Sequence, residues 1–225
     1  MIEDIIATLF VAQDTTASTA QYGLYLLCIH DNLQEILYNE LNTAFKDKKF
    51  DFKKLNKLHY FRAFIYDITR IASTAPQGLP RTATKDIKIT LSDKKDYYIR
   101  KNDVIHLNSI YINLIEWKKL YYNPTLKNKL IFGSTIYDTL YLNAWLNNKN
   151  EFISNNNNAS FGFGNRNCAG KMLSIKELMV LFGELIPKYT FMAPNNDKTK
   201  IDLINKNFGS ATDLQNPCGI KINKR

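Results

Sequence analysis

The stretch that most constrains this chain is residues 161–170, FGFGNRNCAG, standing directly before a helical pattern. From about residue 169 to 186, Ile175, Leu178, Phe182 and Leu185 share one helix face, and Pro187 ends it. Cys168 is therefore placed just ahead of a helix N-terminus. The partial positive charge and free N–H groups there stabilise a sulfur anion, whereas an ordinary free thiol titrates too high to be a reliable one. Gly164 permits a tight turn that a side chain would strain. A buried structural cysteine in a Gly-rich loop is the plain alternative for an isolated Cys. A dinucleotide fingerprint fails, because Asn167 occupies the third glycine position of GFGNRN and no clear strand leads into it.

The rest of the chain reads as mainly helical with one small antiparallel sheet. Ile5, Leu9, Ala12, Thr16 and Thr19 follow helical spacing within a helix over 2–29. Its centre, QDTTAST, is built of poor helix formers, a place where function or strain overrides propensity. Asp31-Asn32 is positioned to cap a helix over 33–46, with Leu33, Ile36, Leu37 and Leu41 on one face. A third helix over 57–72 carries Leu58, Phe61, Ile65, Ile68 and Ala72, and Pro76 and Pro80 then force an irregular path. Residues 86–108 contain IKIT, DYYI and VIHLN, short runs expected to form the small sheet. Residues 113–150 match no clear pattern, and the Asn run near 150–158 reads as a loop.

The Cys segment fits F-x-x-G-x-R-x-C-x-G at every fixed position, and on these residues the chain resembles the cytochrome P450 family of heme-thiolate monooxygenases. A chance match at five fixed positions in a chain of this length is on the order of one in ten thousand. The resemblance implies the C-terminal half of the cytochrome P450 fold as a single partial domain over 1–225. It implies heme (iron protoporphyrin IX) with an axial thiolate from Cys168, which pushes electron density onto the iron and favours O–O cleavage. Arg166 is then expected at a heme propionate. Phe161 is expected beside the sulfur, and Gly170 where the backbone approaches the porphyrin.

Three further segments follow in family order. VAQDTT at 11–16 resembles the oxygen-activation segment, with Ala12 where the family usually has Gly and with Asp14 and Thr15 as expected proton donors to bound O₂. A mid-helix Thr can bond back to the carbonyl one turn earlier and open the helix slightly. FIYDITR at 64–70 resembles the family's Glu-x-x-Arg helix, with Asp67 and Arg70 three apart on one face. On spacing alone, a surface ion pair of little worth is an equal alternative. APQGLPRTATKD at 75–86 resembles the segment after that helix. Arg81 is expected at a propionate, and Thr74, Gln77 and Leu79 on the substrate side. The family's second structural Arg is expected within YLNAWLNN at 141–148, where Ala144 stands instead. With Asp also replacing Glu at 67, the lock is expected to be weakened, since an incomplete buried charge network leaves groups unpaired.

The formal net charge is +9, but Lys and Arg are interspersed with acids and no nucleic-acid reader motif is present. No nucleic-acid partner is expected. The three cysteines, Cys28, Cys168 and Cys218, describe no disulfide framework, and His30, His59 and His106 have no metal-ligand spacing. Asn158-Ala159-Ser160 is formally a glycosylation sequon, read here as chance. By the resemblance, the expected partners are O₂, a small organic substrate and an NADPH-dependent or ferredoxin-type reductase. Eukaryotic members are endoplasmic-reticulum membrane proteins facing the cytosol. This sequence contains no run long enough for an anchor, so cytosolic and membrane-associated placements both stay open. It is expected to begin at the oxygen-activation helix, without the family's N-terminal half. A monooxygenase and a truncated, non-catalytic fragment or pseudogene product with at most residual heme binding are the two functional readings.

Overall fold

In a computed structural model, residues 2–46, 50–76, 78–122, 130–201, 206–208, 212–214 and 219–225 are described. The described chain is mainly α-helical, with small antiparallel strand pairs. Helices α1 (Ile2–Ile29), α2 (Asp31–Ala44), α3 (Phe52–Leu55) and α4 (His59–Ala72) come first. Strands β1 (Arg81–Thr82), β2 (Ile87–Thr90), β3 (Asp96–Ile99) and β4 (Val104–Ile105) follow. A π-helical turn, Tyr111–Glu116, runs into α5 (Trp117–Tyr121), then β5 (Ile131–Phe132) and β6 (Leu140–Tyr141). Helix α6 (Lys171–Leu185) precedes β7 (Tyr189–Met192), β8 (Lys206–Phe208), β9 (Thr212–Leu214) and β10 (Lys221–Lys224).

One hydrophobic core joins α1, α2, α4 and α6. Leu26, Leu27, Leu33, Leu37, Leu41, Phe61, Phe64, Ile68 and Phe182 are all completely buried in it. Phe64 meets Phe182 edge-on at 5.3 Å between ring centroids, a favoured aromatic geometry. Gly23 permits the close approach of α1. A Cβ there would lie 2.7 Å from the Phe182 ring and 3.1 Å from Ile68. Among the described side chains of α1, burial is confined to the C-terminal part. Leu9 and Ala12 are exposed, Thr16 is half-buried and Thr19 is buried, so the sequence's single face divides along the helix.

Two helix starts differ from the sequence expectation. Asp31 is the first residue of α2 and not its cap; the cap position is His30, which offers no side-chain bond. The Asp31 carboxylate instead pairs with Lys198 at 2.8 Å. Helix α4 also lacks a local cap at Leu58. Its orphan donors are met from another helix, since Glu40 of α2 accepts from the amides of His59, Tyr60 and Phe61 at 2.8, 3.1 and 2.7 Å. Buried Gln34 similarly completes the edge of β7, accepting from the Phe191 amide at 2.7 Å and donating to the Phe191 carbonyl at 3.1 Å.

The sheet expected over 86–108 is two separate pairs. β2 pairs with β3, while β4 turns back to β1, with Arg81 opposite Ile105 and Thr82 opposite Val104. Alternation identifies strands without revealing partners, and the second pairing fixes the position of Arg81.

The region over 113–150, which follows no clear sequence pattern, is tied to α1 and to the residue after it. Tyr22 Oη donates to the Tyr137 carbonyl at 2.7 Å, and His30 Nε2 lies 3.1 Å from the Asp138 carbonyl. Burial holds the His30 imidazole below its ordinary value of 6.5, with the Asp138 carbonyl and carboxylate opposing the shift. The unfolded chain therefore takes up this proton first as pH falls. Stability from His30 is held above 6.5 and lost below it, as pH drops toward the depressed folded value. Urea unfolding followed from neutral pH through 6.5 should show this loss, and His30→Gln, which keeps a donor but cannot titrate, should flatten it. An equal slope in both proteins would contradict the assignment.

Candidate functional site

Residues 163–170 form an unbroken exposed run on the approach to α6, and Cys168 lies within it. Gly162 and Gly164 both have φ of +70°, the left-handed region where side chains are strained. These turns fold the loop so that the Cys168 amide donates to the Phe161 carbonyl at 2.8 Å. The Cys168 carbonyl then accepts from Lys171, the first residue of α6, at 3.4 Å. Gly170 sits at the helix cap with φ of −82°, open to any residue, so its backbone does not require glycine. A Cβ there would meet Cys168 Sγ at 3.8 Å, ordinary contact. Lys171 is half-buried and its ammonium lies 5.7 Å from the centroid of the Phe161 ring.

Helix α1 faces this loop. Thr15, Thr19, Phe161 and Ser174 help line one cavity of about 30 Å³, with room for a water. Thr16 Oγ1 donates to Ser174 Oγ at 3.2 Å, joining α1 to α6. Thr15 Oγ1 donates to the Val11 carbonyl at 2.9 Å, and Thr19 Oγ1 to the Thr15 carbonyl at 2.9 Å. Backbone bonding by these hydroxyls accommodates poor helix formers in a helix that continues from Ile2 to Ile29. Asp14 is half-buried one residue before Thr15.

Arg81 reaches the loop from β1, donating to the Arg166 carbonyl at 3.3 Å. Both arginines are exposed, and neither side chain has a carboxylate partner among the described residues. The preceding turn is set by buried serines. Ser73 ends α4 in a left-handed conformation (φ 41°), and its hydroxyl lies 3.1 Å from that of Ser109. Ser109 Oγ is also within 3.1 and 2.8 Å of the Ala75 and Pro76 carbonyls. Thr74 lines the small cavity and Leu79 is exposed, while Gln77 lies outside the described residues.

Behind the loop, Asp67 and Arg70 are completely buried, which excludes a surface ion pair. They meet in a bidentate pair, Nε to Oδ1 at 2.5 Å and NH2 to Oδ2 at 3.0 Å. The expected deficit from Ala144 does not arise. Two donors complete the carboxylate: the Tyr141 amide at 2.6 Å and the Trp145 indole N–H at 2.9 Å. Arg70 in turn donates to the carbonyls of Asn113 and Thr139 at 2.7 and 2.8 Å, between the rings of Trp117 and Tyr141. No sequence signal marks Trp145, because the resemblance calls for a second cation in this stretch. A hydrogen-bond donor without charge serves a carboxylate already neutralised by one guanidinium. Burial also pushes the Tyr141 phenol up to about 12.

The Asn run is structural as well. Asn155 Nδ2 donates to Tyr121 Oη and the Ala144 carbonyl, and the Asn157 carbonyl accepts from the Trp117 indole. In the sequon, Asn158 Nδ2 donates to Thr69 Oγ1 at 3.1 Å, so its amide nitrogen is engaged inside the fold.

The family model described as Cytochrome P450 matches residues 2–124 and 141–216. The chain belongs to the cytochrome P450 family. Curated relatives agree. "Cytochrome P450 2A8" of Mesocricetus auratus is 27% identical over 187 residues, covering 82% of this chain and 34% of the relative. "Cytochrome P450 2A13" of Homo sapiens is 25% identical over 206 residues, covering 90% and 37%. "Putative cytochrome P450 CYP13A2" of Caenorhabditis elegans is 29% identical over 201 residues, covering 88% and 34%. The chain thus spans about a third of the length of the curated relatives it matches. The P450 model passes over residues 125–140, and the Thr139 carbonyl that holds Arg70 belongs to that unmatched segment.

Among the described residues, no helix is long and apolar enough to cross a membrane. The buried pair makes a graded prediction. Asp67→Asn strands a buried guanidinium and should cost about 3–5 kcal/mol. Trp145→Phe removes one bond to a charged group and should cost about 1.5–3 kcal/mol. Urea unfolding checks the order. A Trp145→Phe protein as stable as the parent would remove the indole from the lock.

Proposed function

We propose that this chain is a heme-thiolate protein whose iron ligand is Cys168, and that it serves a P450 monooxygenase reaction. Family membership supports heme chemistry of this type. The observation that carries the reading to this chain is the exposed Cys168, held by its own amide at the mouth of α6 inside a complete ten-residue motif.

The donor set fits the group. A thiol suits iron, and two guanidinium side chains with no carboxylate partner among the described residues suit two propionates. Cys168 would supply the thiolate, Arg81 and Arg166 would hold the propionates, and Phe161 would shield the sulfur side. When bound, heme supplies the redox chemistry that places one oxygen atom of O₂ into an organic substrate, with electrons from a reductase. The chain's own residues then handle protons and access. Asp14 and Thr15, on the α1 turn facing the loop, would deliver protons from the water-sized cavity, the Thr15 hydroxyl exchanging its Val11 partner for water. Thr74, Gln77 and Leu79 would border the substrate. The reductase and the substrate follow the family in class only: an NADPH-dependent or ferredoxin-type reductase and a small organic molecule. Homologues are typically bound to the endoplasmic reticulum, which supports a membrane-associated placement for this chain beside a cytosolic one.

A second reading, heme binding without turnover, draws on the exposed apolar side chains of α1, where Ile2, Ile6, Leu9 and Val11 are each more than half exposed. One experiment separates the two. The purified chain, loaded with heme, reduced and treated with carbon monoxide, should give the red-shifted thiolate spectrum, and Cys168→Ser should abolish it. A native chain without that band overturns the heme-thiolate reading. A native band with no substrate oxidation in the presence of reductase supports the second reading.

A further inference from the structure

We infer that Asn113 is a positioning residue that couples buried Arg70 to the start of the Cys168 loop. Its functional meaning rests on the heme-thiolate reading, while its structural content stands without heme.

Asn113 is completely buried within the π-helical turn Tyr111–Glu116, where the Trp117 amide reaches back to the Ile112 carbonyl, five residues earlier. Such wide turns are uncommon and cluster at functional sites. All three polar groups that Asn113 directs across the fold are used. Its backbone carbonyl accepts from Arg70 NH1 at 2.7 Å. Its side-chain Oδ1 accepts from the Ala159 amide at 2.8 Å. Its Nδ2 donates to Ser160 Oγ at 2.8 Å, and that hydroxyl donates onward to the Thr69 carbonyl at 2.6 Å. Thr69 precedes Arg70, so the bonds close a ring through Arg70, Asn113, Ser160 and Thr69. The next residue after Ser160 is Phe161, whose carbonyl receives the Cys168 amide at 2.8 Å.

The chemistry requires a carboxamide. One planar group must accept from residue 159 and donate to residue 160. A carboxylate cannot donate, an apolar side chain can do neither, and glutamine would push the amide one methylene into a filled interior. Asn113 does not touch the thiol. It fixes where the loop leaves the buried lock, and the two positive-φ glycines and the Phe161–Cys168 bond then set the sulfur.

Hydrogen exchange on the apo chain tests this directly. In Asn113→Ala, the amides of Ala159 and Cys168 should lose protection by roughly tenfold or more, the scale of one buried hydrogen bond. Amides of α4 and α6 should keep theirs. Ser160→Ala removes one arm and should give a smaller loss at the same loop amides; it decides the matter should Asn113→Ala fail to fold. Unchanged loop protection in a folded variant, or equal loss in α4 and α6, would overturn the inference. Because the readout needs no heme, a native chain that shows no thiolate spectrum defeats the functional reading alone and leaves the exchange result standing.

Discussion

A carboxylate and a guanidinium with no exposure to solvent hold the centre of this chain together. Desolvating Asp67 and Arg70 is costly, and their attraction offsets the cost only when the remaining polar groups are satisfied. Here they are. Four donor contacts converge on Asp67, and Arg70 adds two carbonyl acceptors. The contacts come from α4, the π-helical turn, the unmatched segment and the stretch ending at Trp145. Elements distant in sequence are therefore brought into one place by a single buried charge pair. Its geometry selects one arrangement of the segments that lead to the Cys168 loop.

The composition of this lock shows how a buried ion pair is satisfied without a second cation. Ala144 brings no charge to this lock, and the Asp67–Arg70 pair is formally neutral. A second guanidinium would leave a net buried charge to be compensated elsewhere; an indole N–H and a backbone amide do not. Trp145 adds what a guanidinium would not, a large apolar surface packed on Trp117, Tyr66 and Phe152. The same aromatic group borders Arg70 through Trp117 and reaches the Asn run through Asn157.

Much of the architecture was legible in the sequence because its signals are local. Helical periodicity located α2, α4 and α6 to within a few residues, and the ten-residue Cys motif singled out the loop before α6. What was not legible depends on distant partners. Spacing placed Asp67 and Arg70 on one face but carried no information on burial. Glu40 as the cap of α4, Tyr141 and Trp145 as donors, and the π-helical turn all require knowledge of what packs alongside. The Asn run looked like a loop by composition, and it is one, yet Asn155, Asn157 and Asn158 each answer a polar group of the interior. Strand pairing is illegible for the same reason, since β4 pairs with β1 instead of extending the β2–β3 pair.

On the proposed heme-thiolate reading, this scaffold delivers one sulfur, that of Cys168, to iron. X-ray absorption at the iron edge of the heme-loaded chain tests it most directly. A sulfur scatterer among the nearest neighbours of iron in the native chain, absent in Cys168→Ser and retained when buried Cys28 is replaced by Ala, is the expected result. Iron surrounded only by nitrogen and oxygen, or a sulfur signal that survives Cys168→Ser, would contradict it.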